Sequence, residues 1–254
     1  MAWELPSYHA LLEISARGAW DPHAIDLSAD RARWPQLPAD VRARLLGLFA
    51  GFFVGEDAVA EQLLPFERAA TSTGLRACLR AQQVEEERHA VAVARLWSAF
   101  AEAGRRDLAA AIAAAPPSLV TLFRERLPQV AAGARDDLSG AVALYHGVVE
   151  GVVFLAGQSA VAQLAAQWKL PGTAAIFRRI ERDERWHIAL GVRALADAPD
   201  GRTVAAQLPI ESPQAAACWG ELVDAASSEA ALTLLTRRLN AADLLVQEPG
   251  PIER

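Results

Sequence analysis

From about Leu37 to about Leu245 apolar residues recur at every third or fourth position. Nowhere do they alternate singly with polar residues over a strand length, so the spacing predicts an all-α protein. Four long helices stand out. The first follows "LPAD" (Leu37 to Asp40) and is expected to end at about Pro65, because a proline inside a helix removes a backbone hydrogen bond. The second follows the capping hydroxyls of "TSTG" (Thr71 to Gly74) and runs to about Gly104. "RRDLAAAIAAAPPS" reads as a shorter helix ended by Pro116 and Pro117, with a further amphipathic stretch interrupted by Pro128. The third long helix begins at the capping candidates Asp136 and Asp137, spans about thirty residues and stops at Pro171 and Gly172. The fourth runs from Thr173 to about Gly201, and one or two more helices follow. Residues 1–37 read as an N-terminal arm wrapping the domain and 246–254 as a tail with proline and glycine. Nothing between them resembles a linker or repeat, so 1–254 is expected to be a single domain.

Composition narrows the function classes. The net charge is −6, and the arginines are dispersed among acids, so there is no basic footprint for nucleic acid. No apolar run reads as long and charge-free enough to span a bilayer, and "MAWELPSYHA" lacks the pattern of a secretion signal. A cytosolic protein is expected. Cys78 and Cys218 stand apart without CxxC spacing, which suggests neither a disulfide nor a zinc site, and both read as small core residues.

The chemistry lies in two short matches. "VEEERHAVAV" places Glu86 three residues before His89, and "ERDERWHIAL" places Glu184 three before His187. Residues three apart share a helix face, so each pair can present a carboxylate and an imidazole to one point. One such pair carries little weight, but here the other two long helices each add a glutamate in an apolar setting: Glu56 in "FFVGEDAV" and Glu150 in "GVVEGVVFL". Burying a lone carboxylate costs several kcal/mol unless it is paired or bound to a metal. One Glu from each of two helices plus Glu-x-x-His from each of two others is the known donor set of ferritin-like di-iron and di-manganese bundles, and this chain matches it at six positions. Such a set suits iron and manganese and leaves open positions for dioxygen. The bland alternative is a bundle in which Glu56 and Glu150 pair with arginines and the histidines are partly exposed. Asp57, Glu61, Glu85, Glu87 and Glu181 read as lying on other faces or beside the ligands, and His9, His23 and His146 have no matched carboxylate.

These residues resemble the small subunit of class I ribonucleotide reductase and its relatives, over roughly Trp20 to Gly191. The resemblance implies a ferritin-like four-helix core with additional helices and an arm. It also implies an electron relay in which Trp20 partners Asp183, the residue before Glu184. A reductase role is disfavoured: Val93 stands where that subunit carries its radical tyrosine, and "LLVQEPGPIER" has no tyrosine for coupling to a large subunit. The closer likeness is to the ligand-binding oxidases of the superfamily, whose motif is similar to "YHGVVEGV". That likeness implies a Mn/Fe or Fe/Fe pair, dioxygen as co-substrate, a bound long-chain fatty acid and a tyrosine to valine ether cross-link. Here the cross-link would join Tyr145 and Val59, and Val148, Val149, Val152 and Phe154 are candidate walls for the ligand, though core packing explains them equally well. Gln158 departs from the pattern, standing where a tyrosine is expected. The rival readings are a di-iron oxygenase acting on a small biosynthetic substrate and an iron-storage or non-catalytic metal protein. A homodimer is expected.

Overall fold

The computed structural model describes residues 5–245, so the tail at 246–254 lies outside the described residues. Among these residues every regular element is helical. Helices α1 (Tyr8–Arg17) and α2 (Ser28–Arg33) form most of the arm. The long helices α3 (Ala39–Ala69) and α4 (Thr73–Phe100) then pack against each other along their length. A short α5 (Leu108–Ala114) and a helix α6 over 117–133 lead to α7 (Leu138–Trp168) and α8 (Pro171–Asp197), which complete the four-helix core. Helices α9 (Gly201–Ala205), α10 (Leu208–Ala216) and α11 (Ala225–Ala241) cover its outer side.

Helix starts follow local chemistry. The Ser72 hydroxyl accepts from the Leu75 amide at 3.1 Å to cap α4, and Asp137 accepts from Gly140 at 2.8 Å to cap α7. The start of α8 is capped from a distance: Asp30 of α2, fully buried, accepts from the amides of Gly172 and Thr173 at 2.9 and 2.7 Å. A carboxylate at a helix N-terminus also meets the positive end of the helix dipole, so the arm is pinned to the core.

Four expectations need correction. Helix α3 does not stop at Pro65 but runs one turn further to Ala69, since a proline this near the end forfeits one hydrogen bond while Phe66 gains a buried place. Pro128 does not interrupt α6, because a π-helical turn at Leu122–Arg126 precedes it and the helix resumes at Leu127. Helix α7 is in fact long and apolar enough to cross a membrane, yet 78% of its apolar window is buried inside the bundle. Cys78 is buried, whereas Cys218 is only half-buried, beside a surface cavity that it shares with Arg126.

The middle of α7 departs from α-geometry. From Ala143 to Phe154 it is π-helical, and all twelve residues are buried. In an α-helix, residues five apart such as Tyr145 and Glu150 point about 140° away from each other. The wider π-turn, bonded from i to i+5, stacks them on one face. Opposite this stretch, α8 approaches closely at Gly191, where an added Cβ would run into the Cβ of His146.

Candidate metal centre

The four core helices bring the six candidate ligands together. Glu56 comes from α3, Glu86 and His89 from α4, Glu150 from the π-helical part of α7, and Glu184 and His187 from α8. None is more than 2% exposed. One donor atom each from Glu56, Glu86, His89 and Glu184 lies within 4.8 Å of the others, and a second such group comprises Glu86, Glu150 and His187. Glu86 belongs to both groups. Glu184 also faces both, with one oxygen 3.9 Å from His89 Nδ1 and the other 3.6 Å from His187 Nδ1.

The donors fit a pair of cations better than they fit each other. Both oxygens of Glu56 and of Glu184, Oε2 of Glu150 and Nδ1 of His187 are buried without a hydrogen-bond partner. Unpaired buried polar atoms are few in folded proteins, and these converge on one volume. Burial pushes Glu56, Glu150 and Glu184 above the usual carboxylate range. For Glu86 the opposing pull of His187 and His89 outweighs burial and holds it well below that range. Burial opposes charging His89 and His187, but their carboxylate partners prevail and raise both. Burial therefore favours protons on the same oxygens that cations would neutralise.

Both imidazoles point the same way. His89 directs Nδ1 at Glu86 (3.2 Å) and Nε2 at Asp183 (3.2 Å). His187 directs Nδ1 at Glu86 (3.1 Å) and Nε2 at Glu85 (3.0 Å). Asp183 in turn accepts from the Trp20 indole at 2.7 Å. Guanidinium groups of Arg88 and Arg179 lie 5.9 and 5.8 Å from the Trp20 ring. Burial acts to raise Asp183, but His89, Trp20 and Arg182 together hold it below the usual range.

Glu85 is where the sequence reading needs correction. Rather than lying idle beside the ligands it is 2% exposed and bonded to His187, Trp186 and Ser15. Gln82 carries no sequence signal beyond its place one turn before Glu86 on the same face. Its amide nitrogen donates to Glu150 at 2.6 Å and Glu86 at 3.1 Å, and lies 3.3 Å from the Tyr145 hydroxyl. Its oxygen faces Nε2 of the buried His146 at 3.0 Å, so that nitrogen carries the proton. Burial pushes His146 down to about 3, which keeps it neutral.

Tyr145 donates its hydroxyl to Glu86 at 3.0 Å and is fully buried, as is Val59, one turn after Glu56 on α3. Gln158 is buried with both side-chain polar atoms unpartnered. Of the remaining acids, Asp57 and Glu61 pair with Arg124 and Glu181 pairs with Arg185, while Glu87 is exposed. His9 and His23 are on the surface. Val148, Val149, Val152 and Phe154 are all buried, and Phe154 packs against Phe52 and Phe123 with ring centroids 5.6 and 5.4 Å apart.

A helical bundle that gathers two Glu-x-x-His helices and two further glutamates around one buried volume is of the ferritin-like class. The sequence model of the family "Ribonucleotide reductase, small chain" matches residues 4–200, and the chain belongs to that family. Among solved structures it is similar to an R2-like ligand-binding oxidase with aerobically reconstituted metal cofactor after photoconversion: 20% identity, TM-score 0.76, covering 98% of this chain and 96% of that one. A variant of an R2-like ligand-binding oxidase with anaerobically reconstituted Mn/Fe cofactor gives 21% identity and TM-score 0.77, covering 98% and 96%. Another with aerobically reconstituted Mn/Fe cofactor gives 21% and 0.75, covering 97% and 95%. At this identity the likeness is one of fold.

Proposed function

We propose that the protein is an oxidoreductase that activates dioxygen at a dinuclear metal centre held by Glu56, Glu86, His89, Glu150, Glu184 and His187. The observation that carries this reading is the pair of buried donor groups sharing Glu86, with their unpartnered oxygens facing one volume. Carboxylates and imidazoles suit iron and manganese, so the pair is Mn/Fe or Fe/Fe. Once bound, the metals supply the electrons and Lewis acidity that reduce dioxygen. The chain holds the donors in place, keeps bulk water out with a buried apolar surround, and fixes Glu150 and Glu86 through Gln82. Trp20, through Asp183 to His89, is the proposed path for an electron into the centre.

The test is to load the metal-free protein with equal Mn(II) and Fe(II) without oxygen, admit air, desalt, and measure both elements. About one of each per chain supports a Mn/Fe oxidase, and two Fe with little Mn supports a di-iron enzyme. No retained metal overturns the reading.

The substrate is an apolar C–H bond, in a bound ligand or in the protein itself. For the internal case, the Tyr145 hydroxyl and a Val59 C–H bond would join as an ether. The O–H and C–H bonds break, a C–O bond forms, and two protons and two electrons go to dioxygen. The neighbouring Glu86 oxygen is placed to take the phenolic proton. The expected result is a linked peptide pair containing Val59 and Tyr145, short of two hydrogen atoms, appearing in mass spectra only after exposure to oxygen with metal. Separate unmodified peptides under the same conditions would rule the cross-link out.

The relatives' designation as ligand-binding supports a bound small molecule, and the apolar surround of the centre makes a long-chain fatty acid the class to seek by solvent extraction and mass spectrometry. One observation favours the second reading, an oxygenase of a small diffusible substrate. Phe52, Phe123, Phe154 and Trp219 crowd the bundle beside Gly55, where a Cβ would sit 2.7 Å from the Phe154 ring. Both readings take the enzyme as a cytosolic homodimer. A shell of many subunits on sizing would point to iron storage instead.

A further inference from the structure

The two halves of the centre are supported by a crossed pair of carboxylates. The residue preceding the glutamate of each Glu-x-x-His pair turns to the histidine of the opposite helix: Asp183 of α8 meets His89 of α4, and Glu85 of α4 meets His187 of α8. Each carboxylate is also gripped by an indole. Trp20 donates to Asp183 at 2.7 Å, and Trp186 donates at 2.8 Å to the same Glu85 oxygen that faces His187. The other Glu85 oxygen accepts from the Ser15 hydroxyl of α1 at 2.6 Å. Helix α1 and the Trp20 segment after it therefore supply one hydrogen bond to each supporting carboxylate, from the groove where α1 packs on both α4 and α8.

We propose that Glu85 is a positioning residue for the metal centre, that it holds His187 with Nε2–H outward and Nδ1 toward the shared glutamates, and that helix α1 belongs to this device through Ser15. An imidazole is a ligand through one nitrogen only when the other carries the proton, and an acceptor at that second nitrogen fixes both the tautomer and the ring plane. His187 is buried, and Glu85 is the acceptor at its Nε2. Without it, the ring could turn or keep its proton on Nδ1 when a cation arrives, and the donor position facing Glu86, Glu150 and Glu184 would be lost. With both oxygens anchored, at Trp186 and at Ser15, the carboxylate has no freedom to follow a turning ring.

This inference rests on the dimetal reading, and the experiment separates the two. Metal-free protein is titrated anaerobically with Co(II) alone, following the visible spectrum and the bound metal. The wild type is expected to bind two Co(II). Glu85→Ala should weaken one of the two sites by about 10–100-fold and change its spectrum, leaving the other site as it was. Asp183→Ala should weaken the other site instead. Glu85→Gln keeps an acceptor for His187 and Trp186 while removing the charge, so it should restore the spectrum and lose no more than about 10-fold in affinity. Ser15→Ala, in a half-buried position that tolerates truncation, should weaken the Glu85-dependent site by about 2–5-fold, the loss of one ordinary hydrogen bond. It carries the test if Glu85→Ala does not fold. A purely structural role would lower the melting temperature and leave both affinities and spectra alone, and that result overturns the proposal. Two Co(II) bound by Glu85→Ala with wild-type affinities also overturns it while sparing the dimetal reading. A wild type that binds no Co(II) overturns both.

Discussion

Glu86→Ala is expected to lose both metals and not just one. By spacing alone, Glu86 pairs only with His89. In the structure its two oxygens are divided, one 3.2 Å from His89 Nδ1 and the other 3.1 Å from His187 Nδ1, so it stands in both donor groups. Its carboxyl is also the one held well below the usual range, pulled down by the two imidazoles against burial, and so is the charge already present before any cation arrives. Removal deprives both sites of an anionic donor and also strands Tyr145 and Gln82, which donate to the same oxygen. Losing a group that only hydrogen-bonds a metal ligand already costs about 10–100-fold in metal affinity, and loss of a donor shared by both sites should exceed the upper end of that range at each. After desalting, elemental analysis should find less than one metal per chain. Glu56→Ala, which touches only the His89 group, should retain the other metal. Two metals retained by Glu86→Ala would dismantle the ligand assignment.

Much of this centre is legible in the sequence, because helix geometry is simple. A three-residue interval maps to one face whatever the tertiary context, so the pairing of Glu86 with His89 and of Glu184 with His187 follows from spacing alone. Glu56 and Glu150 show themselves by being charged in runs that must be buried. What the sequence does not reveal depends on irregular geometry or on contacts between helices. The π-helical stretch is one case: "ALYHGVVEGVVF" has no turn or cap signal, and without the wider turn Tyr145 and Glu150 could not share a face. Glu85 is another. Along α4 alone it sits about 100° round from Glu86 and one turn before His89, at the edge of the ligand face, where spacing does not show what it meets. In the folded protein that direction is occupied by α8 and α1, which deliver His187, Trp186 and Ser15 to it. Periodicity describes one helix at a time, and a residue whose role lies on the neighbouring helix is invisible to it. Asp183 has the same geometry, and only the family resemblance that links it to Trp20 makes it visible in the sequence.

Removing the metals should make stability fall as pH rises, and restoring them should reverse the slope. In the metal-free protein Glu56, Glu150 and Glu184 sit above the ordinary carboxylate value of 4.5, and His89 and His187 sit above 6.5. A group with a raised folded value binds more protons folded than unfolded. Its contribution is complete below the unfolded value and disappears as pH climbs through the folded one. His146, pushed down to about 3 from 6.5, works in the opposite sense, but only between those values. Glu86 and Asp183, both lowered, likewise act only in acid, below 4.5 and 3.8. Above 6.5 the raised groups alone are in play, so the melting temperature of the metal-free protein should decline steadily toward pH 9. Metal ions compete with those same protons, so their affinity grows over the same interval. With each metal at about 100 times its dissociation constant the stabilisation is about 2.7 kcal/mol per site, or a rise of roughly 10–20 °C for two sites in a chain of this size. Calorimetry of metal-free and loaded protein between pH 6.5 and 9 should show the two melting curves diverging. A metal-free protein whose stability is flat or rises over that range would mean that the buried carboxyls are already ionised without cations. Proton competition would then play no part in metal binding at this centre.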